Sequence, residues 1–74
     1  MEILLDSERS ANRRLRVSIA EFDGRKRIDV RFYYRGDDGE FHPTQKGITL
    51  EDPRDLDDVI ASLQDGKEKL DNDR

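Results

Sequence analysis

Asp23-Gly24 separates two segments whose apolar residues recur at every second position. Leu15, Val17 and Ile19 alternate with Arg16, Ser18, Ala20 and Phe22; Ile28, Val30 and Phe32 alternate with Arg27, Asp29, Arg31 and Tyr33. A period of two is that of an extended strand, whose successive side chains leave opposite faces. Asp-Gly between two such runs favours the tight hairpin turn in which both central residues take positive φ. The chain is therefore expected to be built on an antiparallel hairpin, with Arg16, Ser18 and Phe22 on one side of the first strand and Arg27, Arg31 and Tyr33 on one side of the second.

The rest of the chain extends this hairpin. Gly36-Asp37-Asp38-Gly39 reads as a second turn. Glu40 to His42 opens a short third strand, Pro43 marks an edge or strand end, Lys46-Gly47 reads as a turn or bulge, and Ile48 to Leu50 forms a fourth strand. Asp52-Pro53 suits a helix start, with a capping aspartate followed by proline at the first helical position. Leu56, Val59, Ile60 and Leu63 then fall at i, i+3, i+4 and i+7, one face of an amphipathic helix, and Gly66 suits its end. The expected fold is α+β: a four-stranded antiparallel curved sheet followed by one C-terminal helix. It occupies residues 13–66 (ββββα), with residues 1–12 a flexible arm and residues 67–74 a mostly disordered acidic tail.

Seventy-four residues are one domain at most, and a chain of this size is marginal without a staple. There is no cysteine and His42 is the single histidine, so neither disulfides nor a zinc cage is expected. A partner subunit is the remaining staple. The short chain offers little to cover the stripe Leu56, Val59, Ile60 and Leu63, and two copies packing their helices would bury both stripes. A homodimer through these four residues is the preferred reading. No apolar run approaches a membrane span and the first residues do not resemble a signal peptide, so a cytoplasmic protein is expected, nucleoid-associated if bacterial.

Charge is divided along the chain. Arg13 to Arg35 carries eight basic residues against three acids, whereas Glu51 to Arg74 carries nine acids against four basic residues, within a total of −4. Electrostatic steering depends on the local field, which salt confines to about 8–10 Å, so a basic sheet can act beside an acidic helix. No catalytic constellation is present. His42 has no serine and acid at a recognisable spacing, and the loop at Gly36–Gly39 lacks a calcium-loop pattern. The chain is read as a non-enzyme with no cofactor. Exposed aromatics beside arginines on a sheet form a platform for unpaired strands: bases stack on the rings and arginines follow the phosphates. On pattern alone, Phe22, Tyr33 and Tyr34 serve equally well as core or dimer-contact aromatics.

The string itself carries a resemblance. Val17-Ser18-Ile19, Glu21-Phe22-Asp23-Gly24-Arg25, Ile28-Asp29-Val30-Arg31, Tyr33-Tyr34, Gly39-Glu40-Phe41-His42-Pro43 and Lys46-Gly47-Ile48-Thr49-Leu50 follow without a gap, and Pro53 starts a helix. From about Arg13 to Leu63 the chain resembles the single-strand-binding domain of the positive cofactor four (coactivator p15) family of transcriptional coactivators, in particular its small bacterial members. The resemblance implies four strands and a helix, dimer contact through the helices, and single-stranded DNA across the sheets. It also implies that Phe22 and Tyr34 stack bases and that Arg25, Arg31 and Lys46 contact the backbone, with Arg13 and Arg14 near further basic positions. Asp23 stands where the family often has lysine, Gln45 where it has a basic residue, and Glu51-Asp52 adds one residue before Pro53. The serine- and lysine-rich regulatory tail of the eukaryotic members has no counterpart in these residues.

The candidate nucleic-acid-binding set is thus Arg13, Arg14, Arg16, Phe22, Arg25, Arg27, Arg31, Tyr33, Tyr34 and Lys46. Strict alternation sets Tyr34 on the face opposite Arg31, so a stacking role beside Arg31 requires a bend or bulge near the end of that strand. The expected function is sequence-tolerant binding of single-stranded DNA by a homodimer, in transcription regulation or DNA maintenance. The alternatives are binding of single-stranded RNA, which a stacking platform also accepts, and a protein-interaction module whose acidic helix meets a transcription or repair partner.

Overall fold

The computed structural model describes residues 1–72. Four strands, β1 (Glu2–Ser10), β2 (Arg13–Phe22), β3 (Arg25–Arg35) and β4 (Phe41–Leu50), precede one helix, α1 (Pro53–Asn72). The strands form one antiparallel sheet in the order β1-β2-β3-β4. The β2–β3 hairpin is the one expected from the alternation. Phe22 pairs with Arg25 across a two-residue turn, and Asp23 (φ 53°) and Gly24 (φ 74°) both take positive φ, as that turn requires.

Three expectations are corrected. Residues 1–12 are not a loose arm: Glu2–Ser10 is an edge strand paired along β2. Its register slips between Ile3 and Leu5 and again between Glu8 and Ser10, and these bulges erase the period of two. The third and fourth expected strands are one strand, β4, whose register slips between the Arg31–Gly47 and Tyr33–Pro43 pairs. The fourth strand of the sheet is therefore β1. The helix does not stop at Gly66 but runs to Asn72, with an i,i+4 contact of 3.4 Å between Lys69 and Asp65 in its last turns. Gly66 has negative φ there, so it provides no left-handed cap. Of the expected disordered tail, residues 73–74 lie outside the described residues.

Gly47 is fixed by close approach. A Cβ at this position would lie 2.5 Å from the Val30 carbonyl oxygen and 2.8 Å from Cβ and Cγ of Arg31, so the stem of Arg31 occupies the space a side chain would need. Gly47→Ala is expected to destabilise by about 1–3 kcal/mol, read from the midpoint of urea unfolding. Gly66→Ala, where a Cβ meets nothing within 4 Å, is expected to gain up to about 1 kcal/mol and serves as the control.

The register assigns the two faces of the sheet. Leu15, Val17 and Ile19 of β2 lie opposite Phe32, Val30 and Ile28 of β3, which continue to Ile48 and Leu50 of β4. This is the apolar face, yet no apolar residue among those described is fully buried. The helix leaves the end of β4 and barely touches the sheet. Asp52 caps it, its Oδ1 accepting the Arg54 N–H at 2.9 Å. Leu56 and Val59 are half-buried, while Ile60 and Leu63 are 53% and 66% exposed. A single chain therefore presents a half-covered apolar sheet and an uncovered helical stripe.

Candidate nucleic-acid interface

The opposite face of the sheet gathers most of the candidate residues. Even positions of β2 and odd positions of β3 share it: Arg14 pairs with Tyr33, Arg16 with Arg31, Ser18 with Asp29, Ala20 with Arg27 and Phe22 with Arg25. Seven of the ten sequence candidates thus lie together: Arg14, Arg16, Phe22, Arg25, Arg27, Arg31 and Tyr33. Ser18, 3% exposed, lies at the middle of this face.

Guanidinium groups and rings alternate across it. The Arg27 guanidinium carbon lies 5.5 Å from the Phe22 ring centroid and that of Arg16 lies 4.3 Å from the Tyr33 centroid. Arg14 and Arg35 each lie 5.4 Å from the Phe41 centroid. Such pairs are favourable because the ring face is electronegative. Phe41 and Arg35 belong to this arrangement although the sequence did not single them out for it. The signal that could have found Phe41 is the pairing of Arg35 with Phe41 across the β3–β4 turn, which sets both on the face of Arg31 and Tyr33. Phe22 is 62% exposed and has the most accessible ring of the face, whereas Tyr33 is half-buried beneath Arg16. Phe22 and Phe41 stand near opposite ends of β3, ten residues or roughly 33 Å apart along the strand.

Two kinds of acid partner the arginines. Asp29 is internal to the face. Arg31 donates to both of its oxygens at 3.0–3.2 Å and to the Thr44 carbonyl at 2.8 Å, and the Thr49 hydroxyl donates to Asp29 at 2.7 Å. Burial alone would push the Asp29 carboxyl up, but the bonds from Arg31 and Thr49 outweigh it and hold the carboxyl below its ordinary value. Arg31 is therefore a structural clamp that ties the irregular part of β4 to β3. The second kind lies at the sheet edges. Asp6 of β1 accepts from Arg14 Nε at 2.7 Å and from Arg16 at 3.3 Å, and the Arg14 bond chiefly holds its carboxyl low. Glu51, just beyond β4, lies 2.9 Å from Arg27 Nε and 3.9 Å from Arg25.

Three candidates fall elsewhere. Arg13 and Tyr34 pair with each other, and by the unbroken β2–β3 register they lie on the side of Phe32. The irregularity that could have turned Tyr34 toward Arg31 is in β4 instead of β3. Arg13 covers the Phe32 ring at 4.2 Å. Tyr34, 49% exposed, has its centroid 5.6 Å from that of His42, whose Nε2 lies 3.0 Å from Asp38. Lys46 lies in the stretch of β4 between the two register positions and lines a cleft of about 290 Å³ with Leu15, Val30, Phe32 and Ile48.

An open antiparallel sheet with arginine–aromatic pairs on one face, an apolar opposite face and a single trailing helix defines a small sheet-platform protein. Residues 7–54 match the family model described as Transcriptional Coactivator p15 (PC4), and the chain belongs to that family. Among solved structures, it is similar to a PC4 homologue from Burkholderia pseudomallei at 35% identity. In the tetragonal crystal form of that protein the TM-score is 0.80, with 89% of this chain and 96% of the other covered. In the orthorhombic form the TM-score is 0.76, with 89% and 88% covered. The fold also matches a bacteriophage T5 homologue of the eukaryotic coactivator, a protein implicated in recombination-dependent DNA replication. There the TM-score is 0.77 at 13% identity, with 90% of this chain and 77% of the other covered.

Proposed function

We propose that the protein binds single-stranded DNA with little sequence preference and does so as a homodimer. The observation that carries this reading is the joint presence, on one sheet face, of exposed Phe22 and the arginine–aromatic pairs around Tyr33 and Phe41. Rings of this kind accept any base face, and duplex DNA keeps its base faces stacked inside, so the arrangement favours unpaired strands. Membership of the family described as Transcriptional Coactivator p15 (PC4) supports the same choice. Dimerisation is supported by the uncovered helical stripe and by the half-covered apolar sheet, which together leave an isolated chain without a closed core.

Fluorescence anisotropy with labelled single-stranded and double-stranded DNA of equal length, at two salt concentrations, tests the reading. Tighter binding to the single strand is expected, weakening steeply as salt rises because each neutralised phosphate releases counterions. Equal affinity for duplex, or no binding at low salt, would remove it. A matched RNA oligomer in competition distinguishes DNA from RNA preference.

A further inference from the structure

Asp6 and Glu51 stand at opposite edges of the basic face, and each lies within ion-pair distance of two of its arginines. Asp6 accepts hydrogen bonds from Arg14 and Arg16, while Glu51 faces Arg27 at 2.9 Å and Arg25 at 3.9 Å without a hydrogen bond to either. Four of the guanidinium groups that would meet phosphate thus already have a carboxylate of the same chain as a near counter-ion. We propose that Asp6 and Glu51 mask the basic face, acting as built-in competitors that a bound strand's phosphates must displace. The inference rests on the single-strand-binding reading and deepens it, by naming the residues that set the affinity threshold of that face.

The geometry separates these two acids from Asp29. Asp29 is held by Arg31 and by the Thr49 hydroxyl within the sheet, and Arg31 is further tied to the Thr44 carbonyl, so that group is part of the scaffold. Asp6 and Glu51 have no hydrogen bond to the backbone or to an uncharged side chain among the described residues. Their side chains are 31% and 43% exposed. Ion pairs this open to solvent hold weakly, so a polyanion presenting several phosphates at once can replace both carboxylates. Glu8, opposite Arg14 in the register, adds to the negative field at the β1 edge. A single carboxylate shared between two arginines leaves part of their charge free to steer the strand while lowering the net gain on contact. The mask therefore makes binding weaker and less steep in salt than the count of arginines alone would give.

The test compares the wild-type protein with Asp6→Asn, Glu51→Gln and the double variant, using a labelled single-stranded DNA oligomer at several salt concentrations. Glu68→Gln on the exposed helix removes the same charge away from the face and is the control. Each masking variant is expected to bind roughly three- to tenfold tighter at about 0.15 M salt, with a steeper salt dependence, while the control stays at the wild-type value. Thermal melts by circular dichroism confirm that the variants remain folded; Glu51, beyond the end of β4, is the substitution least able to disturb the sheet. Weaker or unchanged binding in folded Glu51→Gln, or equal tightening in Glu68→Gln, overturns the masking role and leaves the single-strand reading standing. If neither the wild type nor the double variant binds, both fall together.

Discussion

Replacing Ile60 and Leu63 together by aspartate is expected to convert the proposed dimer into a largely unfolded monomer. Both side chains are more than half exposed in the single chain, so neither substitution removes a buried core contact within it. Were the chain a stable monomer, two exposed apolar residues changed to aspartate would alter its stability little. The proposed dimer reverses that expectation. Burying an isoleucine or leucine side chain contributes about 1.5–3 kcal/mol, so the four side chains involved across two copies represent about 6–12 kcal/mol. Desolvating aspartates at the same seam adds a further cost. The isolated chain holds no fully buried apolar residue among those described, so it has little reserve once the seam is lost. Analytical ultracentrifugation and circular dichroism read the two outcomes separately. The wild type should sediment as a dimer with a melting temperature that rises with protein concentration. A wild-type protein that sediments as a monomer, with a melting temperature independent of concentration and unchanged in the double variant, would exclude the helical seam.

The parts of this molecule legible from sequence are those in which one local rule operates without interference. The β2–β3 hairpin is the clearest case, because alternation, the Asp23-Gly24 turn and an unslipped register all agree. The start of the helix at Asp52-Pro53 is equally local. What escaped the pattern is what depends on irregular pairing. β1 lost its period of two to bulges, and most of its side chains stay exposed, so Ile3-Leu4-Leu5 gave no directional signal. Pro43 and Gly47 each weaken a strand locally, yet pairing with β3 on either side of the slip carries β4 through both. In the same way, the grouping of seven candidate residues on one face follows from alternation alone. The roles of Asp6 and Glu51 do not, because one belongs to the concealed strand and the other lies beyond the end of β4. Arg31 shows the remaining limit. A basic residue on a basic face reads as a phosphate contact, and only its bonds to Asp29 and Thr44 reveal that it also holds the sheet together.

That double role decides how the face should be probed. Phe22→Ala is expected to weaken single-strand binding by about 1–3 kcal/mol, or roughly 5- to 150-fold, while leaving the melting temperature nearly unchanged. The ring stands at the end of β2 and is 62% exposed, and Arg27, 5.5 Å from its centroid, keeps its contact with Glu51 when the ring is removed. Arg31→Ala is expected to weaken binding too, but for two reasons that its melt exposes. It strips Asp29 of its cation and leaves the Thr44 carbonyl without its donor, which costs about 1–3 kcal/mol of stability apart from any phosphate contact. The side chain is only 20% exposed, so little of it is available to a strand while these bonds are kept. The informative quantity is therefore the loss of affinity measured against the loss of stability. A large ratio for Phe22 with a small one for Arg31 identifies the aromatic ring as the contact and the arginine as its support. A folded Phe22→Ala variant with wild-type affinity would mean that bases do not stack at this end of the sheet, and the pairs around Phe41 at the other end would be the next to test.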